Sequence, residues 1–361
     1  MSLAPIRILV VDDSAYNRRT ITRILEEIPG VVVVGYAVNG EEGLRKASDL
    51  RPDLITLDLE MPRIDGFTFL RIIMQKQPTP VIVVSSRAGD ENVFKALELG
   101  AVEFVPKPTA RSDSQLFDIR DDLVRKVLYC ARTDMRKIVQ RNANSPRNQI
   151  RPRIFSRAAG EVQPSSRNRL VLIGASTGGP PAIQNILAGI KGDCPLMFAV
   201  CQHMPAGFTR AFAERLNKFC ELEVFEARSG DSLAPGRVLV APGGKNLKFY
   251  RRAGEILAQV VDPEPGQLYL PSVDVMFSSA IEVAPVPVVA VVLTGMGNDG
   301  AQGVRRVKSA GGQVIAESEE SCVVFGMPKE AIATGDVDRI LPLADIGPEI
   351  LRRGQAVPPY L

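Results

Sequence analysis

The apolar positions in the first third of the chain alternate between two periods. Short apolar or β-branched runs at residues 6–11, 31–36, 54–57, 81–84 and 103–105 predict strands, while 15–28 and 40–49 repeat their apolar positions at helical spacing. The outline is (βα)5, so the strands form a parallel sheet whose carboxyl ends share one edge. That edge collects chemistry, because the strands lead into Asp12 and Asp13, Asp58, Ser85 and Lys107. Carboxylates crowded there repel one another unless a hard divalent cation with oxygen ligands, Mg²⁺, sits among them. Beside such a cation and Lys107, Asp58 is suited to accept a phosphoryl group, since both positive charges offset the transferring oxygens. Any one of these acids reads as a solvated loop residue; together, at successive strand ends, they read as a site.

Between about 129 and 168 the periodicity fails. The stretch 141–169 is rich in Arg, Asn, Ser and Pro and nearly free of acids, the composition of a flexible, basic linker. A nucleic-acid patch is the other reading, but Phe155 is its only aromatic residue, so no nucleic-acid partner is assigned. From 169 to 353 the alternation resumes. Strands are expected at 170–173, 196–201, 222–227, 237–241, 286–293 and 313–316, a hairpin at 248–250 with 256–261, and helices at 180–187, 204–218, 273–284, 301–310 and 328–334. The run 286–293 is long and β-branched, as in a sheet buried on both faces. The expected organisation is therefore an N-terminal (βα)5 domain (1–128), the linker (129–168), a doubly wound, mostly parallel α/β domain (169–353) and a C-terminal tail (354–361).

Composition narrows the class. The 361 residues are 45% hydrophobic and 24% charged, which suits a soluble globular protein of two domains and excludes fibrous and disordered chains. The first apolar run is too short for a signal peptide and none approaches membrane-spanning length, so a cytoplasmic, non-membrane protein is expected. Five cysteines, Cys130, Cys194, Cys201, Cys220 and Cys322, show no CxxC spacing and suit reduced packing residues. A net charge of +3 provides no global field for nucleic acid.

The second domain carries its own chemistry. Gly174-Ala175-Ser176-Thr177-Gly178 lies between the strand at 170–173 and the helix at 180–187, and fits the G-x-S-x-G turn that exposes a nucleophilic serine. A strand, a glycine-rich turn and a helix also cradle phosphates, so the pattern alone leaves two readings. His203, the only histidine, closes the strand at 196–201, where α/β sheets assemble ligand sites. It is the residue that serine chemistry of the triad kind would use as its base, a lysine being the fallback. Asp231, Asp262, Asp274 and Asp299 are candidates for the acid that orients the imidazole. Asp299, in a glycine-flanked turn just past the long buried strand, is preferred; Asp274, at a helix start, reads as a cap. The order Ser176, His203, Asp299 differs from that of α/β-hydrolases. A rival is a dinucleotide site, because residues 295–300 match GxGxxG and Glu317 ends the next strand, where a ribose-binding acid belongs.

Both halves resemble known families. VVDDS ending at Ser14, LDLEMPRIDG (57–66), VVSS (83–86) and VPKP (105–108) resemble the receiver domain of bacterial response regulators. The resemblance implies phosphorylation of Asp58 by a histidine kinase, Mg²⁺ held by Asp13 and Asp58 with Asp12 and the Glu60 carbonyl, and switching through Ser85, Phe104 and Lys107. IGASTGGPPAI (173–183), QHMPAGFTRAFAERLN (202–217), APGG (241–244), PSVDVMF (271–277), VVLTGMGNDGA (291–301) and SCVVFGMPKEA (321–331) resemble the catalytic domain of chemotaxis protein-glutamate methylesterases. That resemblance implies Ser176 as nucleophile, His203 as base, Asp299 as its orienter, and the backbone N–H groups of Thr177 and Met296 as the oxyanion hole. The implied substrates are receptor glutamate γ-methyl esters, and glutamines in many members, with no cofactor for the hydrolysis. Two positions depart from the family pattern. Asn246 stands where members often carry histidine, and Tyr269-Leu270 where basic residues precede PSVD; both bear on which receptor sequence is accepted.

Overall fold

The computed structural model describes residues 4–85, 91–107, 113–131, 133–144, 169–284 and 287–355, in two compact units, Met1–Asn144 and Ser145–Leu361. In the first unit the elements are β1 (Ile6–Val11), α1 (Ala15–Glu26), β2 (Val31–Ala37), α2 (Gly40–Leu50), β3 (Leu54–Asp58), α3 (Gly66–Lys76), β4 (Val81–Ser85), α4 (Glu91–Glu98), β5 (Glu103–Pro106), α5 (Asp113–Cys130) and α6 (Met135–Asn144). The five strands pair in parallel in the order β2-β1-β3-β4-β5. Every residue of β3 and β4 is buried, as their unbroken apolar runs require of strands covered on both faces. Ser14, Asn39 and Asp65 start α1, α2 and α3 by accepting an N–H from the first turn.

The helix α6 lies in the stretch expected to be linker, with Met135 and Ile138 buried. Its apolar positions are few among Arg, Lys, Gln and Asn, which hid the helical period. α5 also runs into that stretch, to Cys130, while 132 and 145–168, with Phe155, fall outside the described residues, as do Ser86, Pro108 and the tail beyond 355.

The second unit comprises β6 (Arg169–Ala175), α7 (Gly179–Ala188), β7 (Leu196–Gln202), α8 (Phe208–Phe219), β8 (Glu223–Glu226), β9 (Arg237–Val240), β10 (Asn246–Arg252), β11 (Glu255–Val261), α9 (Val273–Val283), β12 (Val288–Val292), α10 (Ala301–Ser309), β13 (Gln313–Glu317), α11 (Met327–Ala333), β14 (Arg339–Leu341) and α12 (Leu343–Gln355). Seven strands form one parallel sheet, β14-β13-β12-β6-β7-β9-β8, and β10 with β11 makes a separate antiparallel hairpin. Wholly buried β6, β7 and β12 form its centre, and Leu172, Ala199, Val273, Phe277, Val292 and Val304 belong to the core around them. Leaving β6, the chain turns first to β7 on one side and only later returns to β12 on the other. The carboxyl ends of these three strands therefore flank the crevice where the strand order reverses. All five cysteines are buried and unbridged, as packing residues should be.

Candidate active site

The proposed nucleophile, base and acid come from those three strand ends. Ser176 follows β6, His203 follows β7, and Asp299 lies between β12 and α10. The bend at Ser176 depends on Gly178, whose φ of +78° an L side chain would strain. Two further supports fix the turn. The Ser176 N–H donates to the Thr294 carbonyl at 3.0 Å, and Gln202 Nε2 donates to the Ser176 carbonyl at 2.9 Å and to the His203 carbonyl at 3.1 Å. Thr294 also gives its hydroxyl to the Thr177 carbonyl at 2.9 Å. The next residue, Gly295, has to be glycine: a Cβ there would lie 2.7 Å from Ser176 Cβ and 2.5 Å from the Met327 sulfur. The loop after β12 is thus packed directly against the serine. Among the described residues the N–H groups of Thr177 and Met296 donate to no protein acceptor, the condition an oxyanion site needs.

His203 Nε2 meets Asp299 Oδ2 at 2.7 Å. The Asp299 carboxylate also accepts the Ser272 hydroxyl (3.0 Å), the Val273 N–H (2.7 Å) and the Asp274 N–H (2.9 Å), so it sits over the N-terminus of α9. Burial acts to raise its pKa, but the hydrogen bond and charge of His203 and those N–H groups outweigh it and hold the carboxyl below its ordinary value. Asp299 is accordingly an anion at neutral pH.

Among the acids weighed from the sequence, Asp231 bonds the Arg228 N–H and Asp262 pairs with Lys245. Asp274 is a cap, but not of its own helix. Its Oδ1 accepts the N–H groups of Gly300 (3.0 Å) and Gly303 (2.6 Å) at the start of α10, while Ser272 caps α9. Glu317 is fully buried and its oxygens take the Thr294 N–H and the Ser321 hydroxyl. The dinucleotide reading therefore loses its ribose-binding acid, and its glycine-rich turn serves Asp299 and Ser176 instead. Sequence reasoning took Thr294, Ser272 and Gln202 only as parts of motifs and gave none of them a role. Only the fold shows that their side chains turn to the Ser176 loop, the Asp299 carboxylate and the His203 carbonyl.

In the first unit, carboxylate oxygens of Asp12, Asp13 and Asp58 lie within 4.8 Å of one another. Lys107 Nζ donates to Asp58 Oδ2 at 2.6 Å and stands 3.6 Å from Asp12 Oδ2. Burial raises the Asp12 and Asp58 pKa values, against the pull of Lys107. For Lys107, burial works to lower the pKa, and the hydrogen bond and charge of Asp58 overcome it and hold the ammonium above its usual value. The all-oxygen donor set, with buried Asp12 Oδ2 lacking a hydrogen-bond partner, fits a hard divalent cation. Glu60 donates its N–H to Asp58 Oδ1 at 3.1 Å. Ser85 ends β4 and Phe104 lies in β5; both are buried, and Phe104 meets Phe94 edge to face. No helix among the described residues is long and apolar enough to cross a membrane.

Fold and site define a class: a response-regulator receiver domain followed by an α/β catalytic domain. A family model described as CheB methylesterase matches residues 171–350, and one described as response regulator receiver domain matches 8–116. The chain is 52% identical to protein-glutamate methylesterase/protein-glutamine glutaminase 3 of Geobacter sulfurreducens, over 96% of this chain and 97% of that one. It is 47% identical to protein-glutamate methylesterase/protein-glutamine glutaminase 1 of Myxococcus xanthus, over 96% of each. The crystal structure of the Thermotoga maritima CheB methylesterase catalytic domain superposes with a TM-score of 0.50 at 39% identity, covering 52% of this chain and 98% of that one. The chain belongs to the CheB methylesterase family, in the arrangement that carries an N-terminal receiver domain.

Proposed function

We propose that this chain is a phosphorylation-activated serine hydrolase that removes methyl groups from glutamate γ-methyl esters of chemoreceptors, releasing methanol, and that it deamidates receptor glutamines. The observation that carries the reading is the His203–Asp299 pair at 2.7 Å on the strand edge that also presents the Ser176 turn. With Nε2–H given to Asp299, His203 keeps the Nδ1 lone pair as the base. Nδ1 takes the Ser176 proton as Oγ attacks the ester carbonyl, and the Thr177 and Met296 N–H groups receive the oxyanion. The tetrahedral adduct collapses by breaking the bond to the methoxy oxygen, which leaves with the His203 proton as methanol. Water, deprotonated by His203, then attacks the acyl-enzyme and frees the glutamate and Ser176. A glutamine follows the same path, with ammonia as the leaving group.

In the receiver, Asp13 and Asp58, with Asp12 and the Glu60 carbonyl, would hold Mg²⁺, which when bound offsets the charge of the transferring phosphoryl oxygens. Asp58 accepts the phosphoryl group from a histidine kinase and Lys107 neutralises it. Ser85 and Phe104 then repack, the two-state element of the switch.

A serine-directed fluorophosphonate tests the centre without any receptor. Mass spectrometry of the labelled full-length protein is expected to find one adduct, on Ser176, absent from Ser176→Ala and formed at least about 100-fold more slowly in His203→Ala. An adduct elsewhere, or labelling indifferent to His203, would remove Ser176 from its role.

A further inference from the structure

The two places where the sequence departs from the family pattern meet in one network. Buried Asn246, at the start of β10, exchanges paired amide hydrogen bonds with Gln267, Nδ2 to Oε1 at 2.7 Å and Gln267 Nε2 back to Oδ1 at 3.0 Å. Gln267 Nε2 also donates to the Tyr269 carbonyl at 2.9 Å. The Tyr269 ring stacks nearly parallel to the His203 imidazole, with centroids 5.1 Å apart and planes 11° apart, and its hydroxyl donates to Asn298 Oδ1 at 3.2 Å. From its other side, Asn246 Oδ1 accepts the Ser272 N–H at 3.1 Å, and Ser272 gives its hydroxyl to Asp299. One amide pair therefore supports both groups that hold the imidazole: the ring on its face and the carboxylate at Nε2.

We propose that Tyr269, carried by the Asn246–Gln267 pair, is the positioning residue for the base; the proposal rests on the reading of His203 as that base. A single hydrogen bond at Nε2 leaves the imidazole free to rock about the line to Asp299, and a flat ring against one face removes that freedom. Small losses of alignment between base and nucleophile cost rate steeply. The quadrupole of the neighbouring ring also attracts the positive charge that the imidazole carries in the transition state. That attraction arises as the Ser176 proton moves and is absent in the ground state, so its loss falls on kcat and leaves KM alone. The aromatic face does this work, whereas the hydroxyl reaches only Asn298.

Methanol release from methylated chemoreceptor membranes by the full-length protein tests this, with kcat and KM measured for wild type, Tyr269→Phe, Tyr269→Leu, Tyr269→Ala, Gln267→Ala and Ser176→Ala. Tyr269→Phe is expected to stay within about twofold of wild type. Tyr269→Leu and Tyr269→Ala lose about tenfold in kcat at unchanged KM, and Gln267→Ala loses less in the same direction. Because His203 is the only histidine, its imidazole proton resonances identify themselves in the NMR spectrum. They move downfield in the Leu and Ala variants, where the ring current is gone, and hold in Phe. The Leu variant keeps side-chain bulk, so it decides the matter if Ala does not fold. Unchanged kcat in both variants, or a raised KM with kcat intact, overturns the proposal; the latter makes Tyr269 a receptor contact. Activity retained by Ser176→Ala would instead overturn the hydrolase reading, and this proposal with it.

Discussion

Asp299 and Asp274 cap each other's helices, and the crossing explains why one is suited to chemistry and the other is not. Asp299 takes the first N–H groups of α9 together with His203, whereas Asp274 takes those of α10 and faces the Asp299 charge. Burial, and then that charge, push the Asp274 carboxyl up to about 6, against the opposing N–H groups of Gly303 and Gly300. The folded state thus holds a proton that the unfolded chain releases near its ordinary value of 3.8. The contribution of this group to stability is present below about pH 4 and is lost as pH rises through about 6. Asp274→Asn keeps the acceptor oxygen without the charge. Its second unit should be more stable than wild type by about 1 kcal/mol above pH 6, allowing for partial solvent access, with no difference below about pH 4. Urea unfolding across that range is the check, and a variant less stable at every pH would show that the anion is needed. Asp299 was preferred from the sequence because it follows a buried strand in a glycine-flanked turn, and its carboxylate is the one that meets His203. The cap assigned to Asp274 was right in kind, but its partner was not, since a cap supplied from another helix leaves no local spacing to find.

At the scale of elements, the site is a strand–turn–helix pinned by a loop from the neighbouring strand. Thr294, two residues past the end of β12, accepts the Ser176 N–H, donates to the Thr177 carbonyl and accepts the Val324 N–H at 3.0 Å. Thr294→Val keeps the shape and strands two of those groups, the Thr177 carbonyl and the Val324 N–H. It should cost about 1–3 kcal/mol in urea unfolding and slow fluorophosphonate labelling of Ser176. Loss of stability with an unaltered labelling rate would mean that the turn keeps its form without this brace. The central strands of both sheets were legible because burial on two faces writes an unbroken apolar run. The sequence reading did not give β14, three residues with its arginine and isoleucine exposed, or α12, which contains Pro348. In α6 the large apolar residues are only Met135, Ile138 and Val139, and in α12 the buried stripe of Leu343, Ile346 and Ile350 runs past Gly347 and Pro348, which read as a break in the sequence.

For the whole molecule, the proposed function needs Asp58 of one unit as phosphoacceptor and Ser176 of the other as nucleophile. Each was expected from the sequence as a constellation at strand ends, and their conjunction from the order of the motifs. What phosphorylation does to hydrolysis is a property of the full chain, so it is there that the central claim has to be tested. The direct measurement is methanol release from methylated chemoreceptor membranes by the full-length protein, with and without a small phosphodonor and Mg²⁺, for wild type, Ser176→Ala and Asp58→Ala. Release that disappears with Ser176→Ala, and that rises about tenfold or more with phosphodonor in wild type but not in Asp58→Ala, is the predicted result. Release that survives Ser176→Ala, or that ignores the phosphodonor while Asp58 is phosphorylated, would contradict it.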